Sequence, residues 1–223
     1  MTARVADYLP QKINQFVPSM TYAADVVAEG PVRVNLGAPA ALDLDGILVA
    51  TDMTAAGNTT TFAAAYSRTV MGNFGRALTI DASGASTGTV TVTGRDYLGQ
   101  PMIETGVLNG TTGVELQKAF AWIEKIAWTA TASVNLTVGW NDILGLPYKT
   151  ESLISELIDA AGAGFVAATA GTFAAADETT VTATTNDTRG TYLPNDIPDG
   201  TSIYHLVCNV DRSNLHGVAQ YFA

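Results

Sequence analysis

The sequence predicts an all-β protein of the β-sandwich or jelly-roll type with an extended N-terminal arm. Short stretches alternate between apolar and small polar residues, as residues 88–94 do with valines on one face and threonines on the other. This period-2 pattern is typical of half-buried strands. Clusters of Gly, Asn, Asp and Pro separate the stretches. About a dozen short strands with turns between them indicate a sandwich or jelly roll.

The predicted elements follow one another along the whole chain. Predicted strands are 32–36, 46–50, 66–71, 77–81, 89–94, 102–107, 134–140, 179–185, 190–193, 201–209 and 216–222. Residues 51–61 and 81–88 are predicted loops. Residues 95–101 should connect two paired strands, with Tyr97, Leu98 and Gly99 at the tip of that hairpin.

Two segments allow more than one interpretation. Residues 114–129 fit a helical period through Phe120 and Ile123, but the surrounding pattern favours strands broken by a bulge at 124–125. Residues 151–160 place Leu153 and Leu157 on one helical stripe. They also read as a strand that turns at 161–162 and returns, and the pattern does not separate these alternatives.

Residues 1–31 read as a docking arm, and residues 32–223 as the β-sandwich domain. Two subdomains with a boundary near 147–150 are an alternative. Prolines punctuate the arm, and its apolar side chains are too dispersed for a core of their own. An arm of this kind docks on its own sheet or on a neighbour, or else is disordered. The candidate partner contacts are Tyr8, Phe16, Met20 and Tyr22.

The composition disfavours several classes of function. Charged residues make up 14% of the chain, against roughly 25% in soluble domains. A surface of small polar residues suits permanent contact with neighbours, although it can also simply face water. The net charge of −10 and the scattered basic residues disfavour nucleic-acid and anionic-membrane partners. No apolar stretch is long enough to span a bilayer, and the N-terminus does not resemble a secretory signal. We therefore expect a soluble protein synthesised in the cytoplasm.

No group of residues has the spacing of a catalytic, metal or cofactor site, so the sequence predicts a protein that is not an enzyme and needs no cofactor. His205 and His216 could meet across a hairpin but read as ordinary strand residues. The only cysteine, Cys208, reads as a small buried hydrophobe. The acidic stretches 43–46, 186–187 and 195–200 read as turns, because none matches a calcium loop. Three tryptophans could form a sugar-binding platform but read as core residues: Trp122, Trp128 and Trp140.

Several segments resemble virion structural proteins of tailed bacteriophages. The first is 91–105, which contains TGRDYLGQPMIE. The second is 143–148 (ILGLPY). Near the C-terminus, the matching segments are 187–192 (DTRGTY), 198–200 (PDG) and 214–221 (NLHGVAQY). The likeness covers roughly residues 88–223 and is thinner at 35–40.

This resemblance implies a non-enzymatic component of a phage particle. The expected role is a capsid decoration or cement protein on the capsid surface of the virion. It would stabilise the head through contacts with the major capsid protein and with copies of itself, as a homo-oligomer. A tail or head–tail connector subunit is the first alternative. A carbohydrate-binding β-sandwich module is the second.

Overall fold

The computed structural model describes residues 31–131 and 133–222, and all the regular structure in these residues is β-strand. The strands are β1 Val32–Gly37, β2 Asp43–Asp52, β3 Gly57–Thr59, β4 Arg76–Ala82, β5 Thr89–Arg95, β6 Pro101–Val107, β7 Val114–Glu115, β8 Trp122–Trp128, β9 Asn135–Gly145, β10 Thr150–Asp159, β11 Val166–Ala167, β12 Thr172–Ala174, β13 Thr191–Leu193 and β14 Ile203–Val210. The prediction of an all-β, sandwich-type fold is confirmed.

The described strands form three antiparallel sheets. One has the order β1-β14-β10-β11. A second has the order β12-β13-β9-β4-β7, and β2 also pairs with β9. The third has the order β3-β8-β5-β6. Strand β9 is 11 residues long and is the central element of the second sheet.

The larger hydrophobic core lies between the sheet around β9 and the sheet around β5. In β5, Val90 and Val92 are fully buried, and the threonines that alternate with them are half-buried. Ile80 of β4 and Val138 of β9 are also fully buried in this core. The period-2 alternation in the sequence therefore indicates which residues lie on the buried face of each sheet.

A smaller core packs the β1-β14-β10 sheet against the end of β9. It contains Val34 from β1, Leu206 from β14 and Leu144 from β9, together with Tyr192. The N-terminal strand β1 therefore packs with the C-terminal strands, and β9 contributes to both cores. The division into subdomains near 147–150 stays a prediction.

Both ambiguous segments contain strands. Within 114–129 the structure has β7 and β8, and β8 carries a bulge at Glu124, because Lys125 pairs with Thr93 and Ile123 pairs with Gly94. Residues 150–159 form β10, and the chain turns at 160–164 and returns as β11. The hairpin alternative for 151–160 is therefore confirmed, and the helix alternative is wrong.

The hairpin predicted at 89–107 is also confirmed. All seven residues of β5 pair with β6 in continuous register. Asp96 and Gln100 close the connection through a backbone hydrogen bond of 3.0 Å. Tyr97, Leu98 and Gly99 lie between them, and Gly99 has a φ of 83°, which favours glycine.

Three predicted strands are wrong, because residues 66–71, 179–185 and 216–222 contain none. Threonine hydroxyls explain the middle segment: Thr185 Oγ1 accepts from the amide of Thr182 and donates to its carbonyl. Such local bonds compete with pairing between strands. The predicted loop 51–61 contains the short strand β3, which pairs with β8.

Candidate functional site

The segments that carry the phage resemblance meet around one buried polar cluster. The β5–β6 hairpin supplies Asp96 and Glu104 to it, and the loop before β13 supplies Asp187 and Arg189. Lys118 comes from the loop between β7 and β8. All five side chains are at most 3% exposed. We call this group the buried charge cluster.

Arg189 is the centre of the buried charge cluster. Its Nη1 donates to Asp96 Oδ2 over 2.9 Å, and its Nε donates to the carbonyl of Leu146 over 3.2 Å. Its Nη2 lies 3.9 Å from Asp187 Oδ1. The guanidinium carbon also lies 5.1 Å from the ring centroid of Tyr97, within cation–π range. One side chain therefore links the hairpin tip to the end of β9.

The two aspartates organise the backbone around them. Asp96 Oδ1 accepts from the amide of Gln100 over 2.8 Å, which fixes the hairpin connection. Asp187 Oδ1 accepts from the amide of Arg189 over 2.9 Å, and Oδ2 accepts from the amide of Ala119 over 3.1 Å. Buried carboxylates need such donors, because an unpaired charge inside a protein is strongly destabilising.

Glu104 and Lys118 form the other side of the cluster. The Glu104 carboxylate accepts from the amides of Gln117 over 2.6 Å and Lys118 over 3.0 Å. Burial raises the pKa of Glu104 to about 7, although these two hydrogen bonds oppose the shift. Lys118 Nζ donates to the carbonyls of Ile103 and Thr182 at 3.2 and 2.7 Å. Burial lowers the pKa of Lys118, and Glu104 opposes that shift.

The C-terminal segment, residues 214–222, covers the tip of the β5–β6 hairpin. The Tyr97 hydroxyl donates to the carbonyl of Pro147 and lies 3.2 Å from His216 Nδ1. Burial raises the pKa of Tyr97 to about 12. The amide of Ile103 in β6 donates to the carbonyl of Tyr221 over 2.8 Å, so the segment covers part of the β6 edge.

This geometry joins several chain segments. The five charged side chains point into the protein, and each is held by backbone or side-chain partners. Within the described part of the chain, no three His, Cys, Asp or Glu side chains are grouped as metal ligands. The arrangement acts as a clamp that holds the β5–β6 hairpin, the loop before β13 and the C-terminal segment together.

The two histidines have different surroundings. His205 lies in β14, as predicted, and its Nδ1 accepts from Arg33 Nε over 2.6 Å. His216 lies outside any strand, so its prediction as a strand residue is wrong. It contacts Tyr97 and the ring of Tyr148. Cys208 is a free thiol and fully buried, as predicted.

The prediction of turns in the acidic stretches is only partly correct, because 43–46 forms the start of β2. Asp199 behaves as predicted: its Oδ1 accepts from the amides of Thr201 and Ser202, each over 2.7 Å. Asp187 also shapes a turn, but it is buried and belongs to the charge cluster. No spacing in the sequence groups Arg189, Glu104 and Lys118, and the rarity of charged residues is the one signal that marks them.

The tryptophans pack mainly into the protein. Trp140 is 4% exposed, and its Nε1 donates to the carbonyl of Ala41 over 2.8 Å. Trp128 is half-buried against the larger core. Trp122 is half-buried, and the Arg68 guanidinium carbon lies 3.7 Å from the centroid of its ring. These positions favour the core interpretation over a flat sugar-binding platform.

The predicted partner contacts lie outside the described residues: Tyr8, Phe16, Met20 and Tyr22. Comparisons with protein-family models, with curated proteins and with solved structures find no match for this chain. Across residues 31–131 and 133–222, no helix is long and apolar enough to cross a membrane.

Proposed function

We propose that this protein is a non-enzymatic structural component of a tailed-bacteriophage virion, and specifically a decoration or cement protein on the capsid surface. The observation that carries the proposal is the meeting of the phage-like segments in one clamp. Asp96 and Arg189, which lie in two of those segments, form its central ion pair. A protein that stabilises a capsid must keep its shape while it contacts several neighbours, and buried interactions between distant segments serve that purpose.

The charge distribution supports a place on the outside of the particle. The chain has 21 acidic and 11 basic residues. Among the residues that the structure describes, three basic side chains are buried: Arg76, Lys118 and Arg189. Few cations therefore remain to bind phosphates, and a surface that packs against DNA needs them in clusters. The expected partners are the major capsid protein and further copies of this chain.

A tail or head–tail connector subunit is the alternative from the same class, since it would use a similar β domain in a ring. The carbohydrate-binding module is the alternative from another class. The burial of Trp140 and the half-burial of Trp122 and Trp128 make the carbohydrate module the weaker candidate. We expect no change in tryptophan fluorescence when a panel of oligosaccharides is added.

Electron microscopy of purified particles that contain the protein tests the proposal. A decoration protein gives repeated density on the capsid surface and hundreds of copies per particle by quantitative mass spectrometry. A small ring at the tail or portal identifies the connector alternative. Absence of the protein from purified particles, with the major capsid protein present as the internal control, rejects a virion role.

A further inference from the structure

The hairpin formed by β10 and β11 presents an unusual edge. Residues 160–176 contain no charged side chain in a chain of net charge −10. The exposed apolar side chains in and near this hairpin are Ile154, Phe165 and Val166, at 53%, 41% and 59%. Natural proteins keep exposed edge strands short or protect them with charges, prolines or bulges. β11 is a short strand, and residues 160–176 contain neither a charged residue nor a proline.

The outer side of β11 has backbone groups available for pairing. β11 is the last strand of its sheet, and among the described strands it pairs only with β10. The amide of Ala168 donates inward to the carbonyl of Glu156 over 2.9 Å. Because backbone groups alternate in direction along a strand, the amide and carbonyl of Ala167 point away from β10.

The hairpin is held in position before any partner binds. The ring of Phe165 packs at a tilt against that of His205, with 4.2 Å between centroids, and the Arg33 guanidinium carbon lies 4.9 Å from the Phe165 centroid. The amide of Gly164 donates to Asp159 Oδ1, and that of Gly171 donates to Glu156 Oε2. A preorganised edge loses little conformational freedom when it pairs.

We infer that β11 pairs antiparallel with β11 of a second copy of this chain, across a two-fold axis near Ala167. Two acidic copies repel each other, so a stable contact requires a surface without like charges. Residues 160–176 are the longest uncharged run of the sequence and meet that requirement. An antiparallel edge is also self-complementary, which a two-fold interface demands. The pairing joins two four-stranded sheets into one of eight strands.

This dimer rests on the proposed function and specifies how copies of the chain contact one another. It can nevertheless be measured on the isolated protein. The two β1 strands lie at opposite ends of the joined sheet. Seven intervals of about 4.8 Å place them roughly 34 Å apart. The first described residues of the two copies, at the start of each β1, thus lie at the far ends of the joined sheet.

The solution mass of the full-length protein tests the pairing directly. Analytical ultracentrifugation should give twice the chain mass of 23.2 kDa. Val166→Lys places two like charges at the paired edge, and Ala167→Pro removes an outward amide without removing a bond to β10. Both variants should be monomers with an unchanged circular dichroism spectrum. Val49→Lys, at an equally exposed valine of β2, should remain a dimer.

Cysteine cross-linking locates the contact. In the variant Ala167→Cys the two thiols lie opposite each other at the proposed axis, and this variant should form a disulfide-linked dimer under mild oxidation. Cross-strand neighbours have Cβ atoms close enough for this bond. The wild-type chain and Val49→Cys should stay unlinked, since Cys208 is buried.

A monomeric wild-type protein would overturn the inference, as would a dimer that survives both Val166→Lys and Ala167→Pro. A dimer lost on Phe16→Asp but kept in both hairpin variants would place the contact in the arm and also reject it. Failure of the virion proposal would appear in particle microscopy, independently of these solution measurements.

Discussion

Arg189 and Asp96 lie 93 residues apart in sequence and form an ion pair of 2.9 Å, with both side chains at most 1% exposed. A neighbouring ion pair joins Arg95 of the same hairpin to Glu124 of β8; it is 2.6 Å long, but both of its side chains are more than a third exposed. The two pairs therefore compare a buried and an exposed ion pair at neighbouring positions of the β5–β6 hairpin.

Arg189→Met should lower the free energy of unfolding by about 3–5 kcal/mol. The substitution leaves the buried carboxylates of Asp96 and Asp187 without their cation, and an uncompensated buried charge is the main cost. Glu124→Gln, which breaks the exposed pair, should cost less than about 1 kcal/mol because water screens that pair. Urea unfolding followed by fluorescence measures both. An equal loss of unfolding free energy in the two variants would contradict the role of Arg189 in holding these segments together.

Glu104 should make stability depend on pH. Burial raises its pKa from 4.5 to about 7, so the folded state binds this proton more tightly than the unfolded chain does. The contribution of Glu104 is therefore fully present below pH 4.5 and is lost as the pH rises through 7. We expect the stability of the wild type relative to Glu104→Gln to fall between pH 5 and pH 8.

Urea unfolding of both proteins at several pH values measures this difference. The variant removes the titrating group, so the pH dependence of the other groups cancels in the comparison. Glu124→Gln, which removes an exposed carboxylate, is measured over the same range as the control. A flat difference between the wild type and Glu104→Gln would show that Glu104 does not titrate in this window.

The local pattern of the sequence predicted most strands, and β10 shows why one remained ambiguous. Leu153 pairs with Cys208 and Ser155 pairs with Val207, so Ile154 is an extra residue in a bulge. A bulge shifts the alternation by one position. Apolar residues on either side of the bulge then follow a spacing close to that of a helix. Periodicity alone cannot separate these cases, whereas the pairing with β14 does.

The buried charge cluster was beyond prediction for a different reason. Asp96 and Asp187 both occur in turn-like sequences, and the turn chemistry was read correctly. Their burial depends on contacts with Arg189 and with the loop that contains Lys118, which are distant in sequence. A single sequence carries no record of such distant contacts, and three-dimensional packing determines them.

Gly139 of β9 should not tolerate a side chain. A Cβ atom there would overlap the carbonyl oxygen of Asp43 and the backbone of Leu44, so β2 would have to move away from β9. We expect Gly139→Ala to cost at least about 2 kcal/mol, as overpacking does in a rigid core. Gly88→Ala is the control, because its Cβ would approach no atom closer than 3.3 Å. Thermal unfolding of both variants should show a clearly lower midpoint for Gly139→Ala alone.

The N-terminal arm should anchor the protein to its particle. Phe16, Met20 and the tyrosines at 8 and 22 are apolar enough to gain from burial, at about 25 cal/mol per Å² of surface removed from water. Prolines disfavour a long helix or a central strand, so we expect these side chains to pack against a neighbouring subunit or the capsid floor. A chain that starts at Val32 should keep its β-rich circular dichroism spectrum but bind particles much more weakly in co-sedimentation.

The full-length variant Phe16→Asp/Met20→Asp should show the same defect, and Thr2→Asp should bind like the wild type. Equal binding of the shortened and full-length chains would remove the arm from the attachment mechanism.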